Sequence, residues 1–156
     1  MLDYYNPLDM LSLIFYIYTL IQLTFFFILS VLAWIFLLPF DKPRRIIHEL
    51  SRGICMAFWY PPLTWKRNIK GLENIDKSKS YVIAINHNSM ADILALYFLP
   101  LNFRWVSKQE VFRIPYIGPM LWMHGDIAIQ RGRATESMKK VIRDGKMWLD
   151  RGVSVA

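Results

Sequence analysis

The chain has 156 residues, of which 54% are hydrophobic, 15% aromatic and 20% charged, with a mean hydropathy of +0.24. That composition excludes a disordered or low-complexity chain, and the length allows one domain with an appendage. A single cysteine, Cys55, excludes a disulfide within the chain and a metal site of clustered cysteines, while 19 Lys and Arg against 12 Asp and Glu give a formal net charge of +7.

The charge is unevenly spread. From Met10 to Phe40, a run of 31 residues, there is no Asp, Glu, Lys, Arg or His. As a helix this run would reach roughly 46 Å, against about 30 Å for a bilayer core, so it can cross with tilt or with its ends among headgroups. A buried core helix rarely needs such length. A cleaved signal peptide does not fit either, because the start carries Asp3 and Asp9 without Lys or Arg and the run is about twice the usual apolar segment. Residues 1–40 therefore read as a retained membrane anchor. Lys42, Arg44, Arg45 and Arg52 follow it, so the positive-inside bias expects the remainder in the cytoplasm and Met1 outside, at the plasma membrane if the source is bacterial. A re-entrant hairpin in one leaflet, bent near Gln22 and Thr24, is the alternative geometry.

The other 116 residues hold all 19 basic residues and ten of the acids, a net +9. Such a charge suits nucleic acid or an anionic membrane surface. The adjoining anchor accounts for it without nucleic acid, and neither zinc-ligand spacing nor an RNA-recognition aromatic pattern is present. Asp41-Lys42-Pro43 is expected to open a helix, with Asp41 as N-cap and Pro43 in the first turn. Ile46, Ile47, Leu50, Ile54 and Phe58 then fall near one face, with Arg44, Arg45, His48 and Arg52 elsewhere. This amphipathic helix, in segment 41–63, ends at Trp59-Tyr60-Pro61-Pro62. It would lie along the membrane surface or pack on the domain.

In segment 64–156 the period changes. Trp65 to Lys70, Tyr81 to Ile85, Phe103 to Ser107 and Asp126 to Gln130 read as strands, the second as one covered on both faces because it is continuously apolar. Met90–Leu99, Tyr116–His124 and Thr135–Asp150 read as helices. In the last, Met138, Val141, Ile142, Trp148 and Leu149 would share a face opposite Lys139, Arg143 and Lys146. Gly152 is a natural stop, and Val153 to Ala156 looks like another strand beginning. Strands alternating with helices imply an α/β fold with a largely parallel sheet. Because the last strand is only beginning, segment 64–156 is expected to be the N-terminal portion of that domain, with the C-terminal part of the fold missing.

If the strands are parallel, the residues that follow them emerge at one edge, where open α/β sheets bind ligands. These are Asn86-His87, Lys108 and Arg131-Gly132-Arg133. One imidazole and several cations on one crevice imply an anionic ligand such as a phosphate, with a proton to be moved. His87 and Asp92 can meet only if His87 lies in the turn before the helix and Asp92 in its first turn. A carboxylate there would fix the imidazole tautomer and leave the other nitrogen to take a proton from a hydroxyl. The same residues also fit a capping box at Ser89-Met90-Ala91-Asp92, in which Asp92 only satisfies backbone donors. Ser89 lacks the glycines of a nucleophile elbow.

Asn86-His87-Asn88-Ser89-Met90-Ala91-Asp92 resembles the first signature block, His-x4-Asp, of the membrane glycerolipid acyltransferases, and the 1-acylglycerol-3-phosphate acyltransferases in particular. Trp105 to Phe112 followed by Ile114 to Gly118 resembles the segment after that block, and Gly125 to Arg131 the second block, Gly-x-x-x-Ile-x-Arg. The resemblance runs from about 65 to 156. It implies a glycerolipid acyltransferase-like fold, with His87 as general base and Asp92 orienting it. Lys108 and Arg131 would hold the acceptor phosphate or assist the thioester oxyanion, and Gly125 would let the backbone turn near the site. The implied reaction moves a fatty acyl group from acyl-CoA or acyl carrier protein to 1-acylglycerol-3-phosphate, giving phosphatidate, with no metal or redox cofactor. The third block, a Pro-Glu-Gly-Thr-Arg type segment, is absent, so residues 1–156 alone are expected to be inactive or weak. In that family, members with Glu in place of Asp92 acylate lipid A precursors. The alternative from another class is a noncatalytic membrane adaptor that binds anionic lipid through its basic face. A transporter fragment is disfavoured, since only one convincing apolar span exists.

Overall fold

The computed structural model describes residues 7–59, 68–86 and 89–156. Helix α1 spans Pro7–Leu37, with a proline tolerated in its first turn and Pro39 beyond its end. It is continuous through the suggested bend: Thr24 Oγ1 donates back to the Leu20 carbonyl (2.8 Å) and Gln22 Nε2 to the Tyr18 hydroxyl (2.6 Å). Its 28-residue stretch Met10–Leu37 is long and apolar enough to cross a membrane, and little of it is buried inside the protein.

Helix α2 spans Arg45–Trp59 and starts later than the sequence implies. Arg44 takes a positive φ of 50°, which places Pro43 before the helix and not in its first turn. Asp41 still caps, its Oδ2 accepting the Ile46 N–H at 2.8 Å. From this turn α2 runs back along α1. Gly53 faces Phe26, the Tyr18 hydroxyl donates to the Ala57 carbonyl (3.1 Å), and Phe58 meets Phe15 edge-on. The apolar side of α2 is thus used against protein: Ile47 and Ile54 join Ala33 of α1 in one cluster, and Cys55 joins a second. His48, expected on the polar side, is buried with them (1% exposed).

Helices α3 (Met90–Leu96), α4 (Ile117–His124) and α5 (Ala134–Asp150) and strands β1 (Phe103–Arg104), β2 (Val106–Lys108), β3 (Ile127–Ile129) and β4 (Ser154–Val155) complete the described elements, with short 3-10 turns at Leu72–Asn74 and Gln109–Arg113. Every strand pairing among the described residues is parallel. Phe103 lies opposite Ser154, Arg104 opposite Val155, Val106 opposite Ile127 and Lys108 opposite Ile129; Val82 bridges to Val155. Ile127 N–H reaches the Trp105 carbonyl and Val106 N–H the Ala156 carbonyl (both 2.8 Å). The run 103–108 therefore joins both ladders into one layer, ordered Val82, β4, β1–β2, β3. The α/β reading holds: helix and parallel strand alternate behind an apolar N-terminal helix.

Two expectations need correction. The run 81–85 is not covered on both faces; it pairs with β4 on one side through residues 81–83 only, and Val82 is 76% exposed. On α5, Met138 and Ile142 are also exposed (65% and 63%). The helix seats on the sheet along Val141, Gly145 and Trp148, spaced i, i+4, i+7, with Gly145 facing Val155. Met138 and Ile142 lie off that line by most of a quarter turn. Of the Trp65–Lys70 strand, residues 65–67 fall outside the described residues and 68–70 form none.

The sheet has helices on both faces. Phe103 and Ile83 face α2 and α3, with Cys55, Leu96 and Tyr97. Val106, Ile127 and Val155 face Val141 and Trp148 of α5. α4 closes against α1 and α2 through Met120 and Met123, with Tyr116 edge-on to Phe27 and Trp122 beside Trp34.

Candidate active site

Parallel register fixes what gathers at the C-terminal edge. Val82, Val155 and Arg104 stand level across the layer. Four residues onward lie Asn86 on the first run and Lys108 at the end of β2. Arg131 follows two residues after Ile129, the partner of Lys108. Three strand spacings separate the first run from β3, about 14 Å in all. Lys108 and Arg131 are both exposed.

Helix α3 starts at this edge. Ser89 is its N-cap, with Oγ accepting the Ala91 N–H (3.2 Å), and Asp92 Oδ2 accepts the Ser89 N–H (2.8 Å). The capping box is therefore formed, and it holds the Asp92 carboxylate in the first helical turn facing back towards the strand end. That is the placement the His87–Asp92 pair requires; His87 itself lies outside the described residues. Asp92 and Asn86 border an open cleft of about 550 Å³, whose other lining includes Trp59, Lys70, Leu96, Phe98 and Leu99. Its lining mixes apolar side chains with the polar Asn68, Lys70, Asn86 and Asp92. Trp59 and Lys70 carried no signal in the sequence, because neither belongs to a motif.

Gly125 is not at this edge. It ends α4 with φ of 92°, at the N-terminal end of β3 and level with Arg104, so Arg131 lies at the other end of that strand. A Cβ on Gly125 would sit 2.5 Å from Trp148 Cζ2 and 2.8 Å from Arg44 Nη1. Its smallness serves close packing under α5.

The residues beside Gly125 form a buried polar chain absent from the sequence reading. Arg104 (0% exposed) donates from Nη1 to His124 Nε2 (2.9 Å), Asn102 Oδ1 (2.9 Å) and the Phe103 carbonyl (2.7 Å), and from Nη2 to the Pro43 carbonyl. A guanidinium can only donate, so His124 Nε2 accepts and its proton sits on Nδ1, 2.8 Å from Asp126 Oδ1. His48 Nδ1 lies 3.0 Å from the same His124 Nε2. Asp126 Oδ1 also takes the Trp105 N–H (2.8 Å). Burial, followed by the His124 and Arg104 charges, pushes the His48 pKa down to about 2; burial lowers that of His124 against the pull of Asp126. Burial also lowers the Arg104 pKa to about 10, still far above neutrality. The chain thus carries one guanidinium, one carboxylate and two neutral imidazoles. It ties the turn after α1 to the sheet and has no open side for a substrate.

Residues 66–152 match the family model described as Acyltransferase. The chain belongs to that family. Among curated acyltransferase relatives, it is 34% identical over 112 residues to a chloroplastic 1-acyl-sn-glycerol-3-phosphate acyltransferase of Arabidopsis thaliana, covering 71% of this chain and 31% of that protein. It is 33% identical over 97 residues to a chloroplastic enzyme of the same name from Brassica napus (62% and 28%). It is also 33% identical over 113 residues to one from Chlamydomonas reinhardtii (72% and 33%). The chain spans about a third of the length of these relatives. No solved structure matches it. The matched region contains all three stretches on which the resemblance to glycerolipid acyltransferases rests.

Proposed function

We propose that the protein transfers a fatty acyl group from a thioester, acyl-CoA or acyl carrier protein, to the free hydroxyl of 1-acylglycerol-3-phosphate, giving phosphatidate. The observation that carries this reading is the parallel register, which directs the Asn86 turn, Lys108 and Arg131 to the edge where the α3 cap holds Asp92. His87 follows Asn86 directly. In the proposed step His87 takes the acceptor hydroxyl proton while that oxygen bonds to the thioester carbonyl carbon. The tetrahedral adduct collapses with cleavage of the C–S bond, and the imidazolium returns the proton to the leaving thiolate. Asp92 holds the imidazole tautomer and stabilises its charged form. Lys108 and Arg131 hold the acceptor phosphate or the developing oxyanion, and the apolar side chains of the cleft take an acyl chain. The reaction, so written, balances without a metal or redox cofactor.

The same proposal sets the protein on a membrane that supplies the lipid acceptor, with the domain on the cytoplasmic side that Lys42, Arg44, Arg45 and Arg52 favour. Because α2 follows α1 from Phe58 back to the turn at 41–44, a straight span by α1 would carry Glu49 and Arg52 to bilayer depth. That is costly. An α1 lying in one leaflet, with its outer face in lipid, avoids it.

The test is His87→Ala in the complete gene product. Acyl transfer to 1-acylglycerol-3-phosphate should fall by about 10²–10⁴-fold with vesicle binding unchanged. Equal activity in the two proteins would remove the catalytic assignment and favour a membrane adaptor that binds anionic lipid.

A further inference from the structure

A second concentration of positive charge lies at the opposite edge of the sheet. Trp148, in the last turn of α5, is 3% exposed and gives its indole N–H to the Gly125 carbonyl (3.0 Å). Three guanidinium groups lie over its ring: Arg104 at 4.8 Å from the centroid, Arg151 at 5.3 Å and Arg44 at 5.5 Å. A π-face attracts one cation; it does not cancel the repulsion among three. Arg104 is answered by the buried carboxylate of Asp126 through His124. Arg44 donates only to neutral acceptors, the Trp122 (3.1 Å) and Met123 (2.9 Å) carbonyls. Arg151 has no ion pair or side-chain hydrogen bond among the described residues. The acids near it on α5 are engaged elsewhere, Asp150 by Lys146 (3.4 Å) and Asp144 by Arg143 (2.7 Å). Burial and then the Arg151 charge lower the Arg44 pKa, and the buried Asp126 carboxylate offsets only part of that.

The surroundings identify the anion. Arg44 stands in the turn that leaves the apolar helix, flanked by exposed Lys42 and Arg45. Phe40 in that turn is 86% exposed, and Trp122, 60% exposed, lies 5.1 Å from Trp34 of α1. Tryptophans and basic residues at the end of an apolar helix sit at headgroup depth. We propose that Arg44 and Arg151, gathered over Trp148 at the end of α1, bind the phosphate of an anionic phospholipid headgroup. This site lies at the sheet edge opposite Lys108 and Arg131. Guanidinium forks match phosphate oxygens in pairs, and the bound anion would relieve the repulsion that the bare site carries. Gly125 gains a reason as well, since any side chain there would meet both Arg44 Nη1 and Trp148. The site stands whether or not the protein transfers acyl groups.

The experiment titrates the full chain in neutral detergent micelles with dihexanoyl phosphatidylglycerol, which is neither the proposed substrate nor its product, by calorimetry. Arg151→Gln should weaken binding about tenfold. Arg143→Gln, which removes the same charge from another face of α5, should leave it unchanged. Unaltered binding in Arg151→Gln, or an equal loss in both variants, overturns the proposal. Displacement of the lipid by an equal concentration of inorganic phosphate would make this a free-phosphate site and overturn the headgroup assignment. Indifference to inorganic phosphate supports it.

Discussion

The two edges of the parallel sheet are built on opposite terms. At the N-terminal edge, Arg104, His124, His48 and Asp126 are withdrawn from water, and each finds partners on a different element. At the C-terminal edge, Lys108 and Arg131 stand in solvent, and Asp92 is held by the first turn of a seven-residue helix. Charge in the interior persists only when paired and hydrogen-bonded, so the first edge must be rigid. Charge with the substrate role proposed for Lys108 and Arg131 has to be reachable, and the second edge is open. Removing a side chain at one edge should cost folding, and at the other activity.

The largest effect should come from Arg104→Ala, which removes the buried charge that answers Asp126 and takes the donor from the Pro43 and Arg44 carbonyls; a loss of about 3–5 kcal/mol is expected in denaturant unfolding followed by tryptophan fluorescence. A loss below about 1 kcal/mol would break the comparison. Next comes pH. His48 and His124 both have folded pKa values below the ordinary 6.5, so the unfolded chain takes up protons first. Their contribution is complete above about pH 6.5 and is lost as pH falls, at about 1.4 kcal/mol per pH unit for His48. His48→Gln should take about 1.4 kcal/mol per pH unit off that slope between pH 6 and pH 5. Gly125→Ala combines a strained φ with a clash against Trp148 and should cost about 1–3 kcal/mol in the same assay. The smallest stability effect belongs to Lys108→Ala, within about 0.5 kcal/mol of wild type, while the KM for the acceptor rises about tenfold. Unfolding of that variant at far lower denaturant would mean that the open edge also holds the fold.

The order of strands and helices was legible because hydrophobic period is local: the helices expected at 116–124 and 135–150 formed at Ile117–His124 and Ala134–Asp150. Orientation was less so. Met138 and Ile142 share a helix side with Val141 by angle, yet α5 seats along a line through Gly145, whose missing side chain leaves no hydrophobic signal. His48 read as polar beside Arg44, Arg45 and Arg52; its burial depends on His124, 76 residues away. At the candidate site the sequence placed Asp92 in the first turn, but it could not separate capping from pairing, because both use the same carboxylate at the same position. Gly125 stood out as part of a block without revealing that its neighbours in space are Trp148 and Arg44.

The back-folding of α2 along α1 bears on how this protein can be handled. Ala33, Phe26 and Trp34 of the first helix supply one wall of the cluster that shelters Ile47, Ile54, Met120 and Met123. A version trimmed to begin at Asp41, the obvious route to a detergent-free sample, would therefore bare that wall and trade a greasy tail for a greasy flank. Solubility is better sought by swapping outward leucines and isoleucines of α1 for polar residues while leaving its inward side intact.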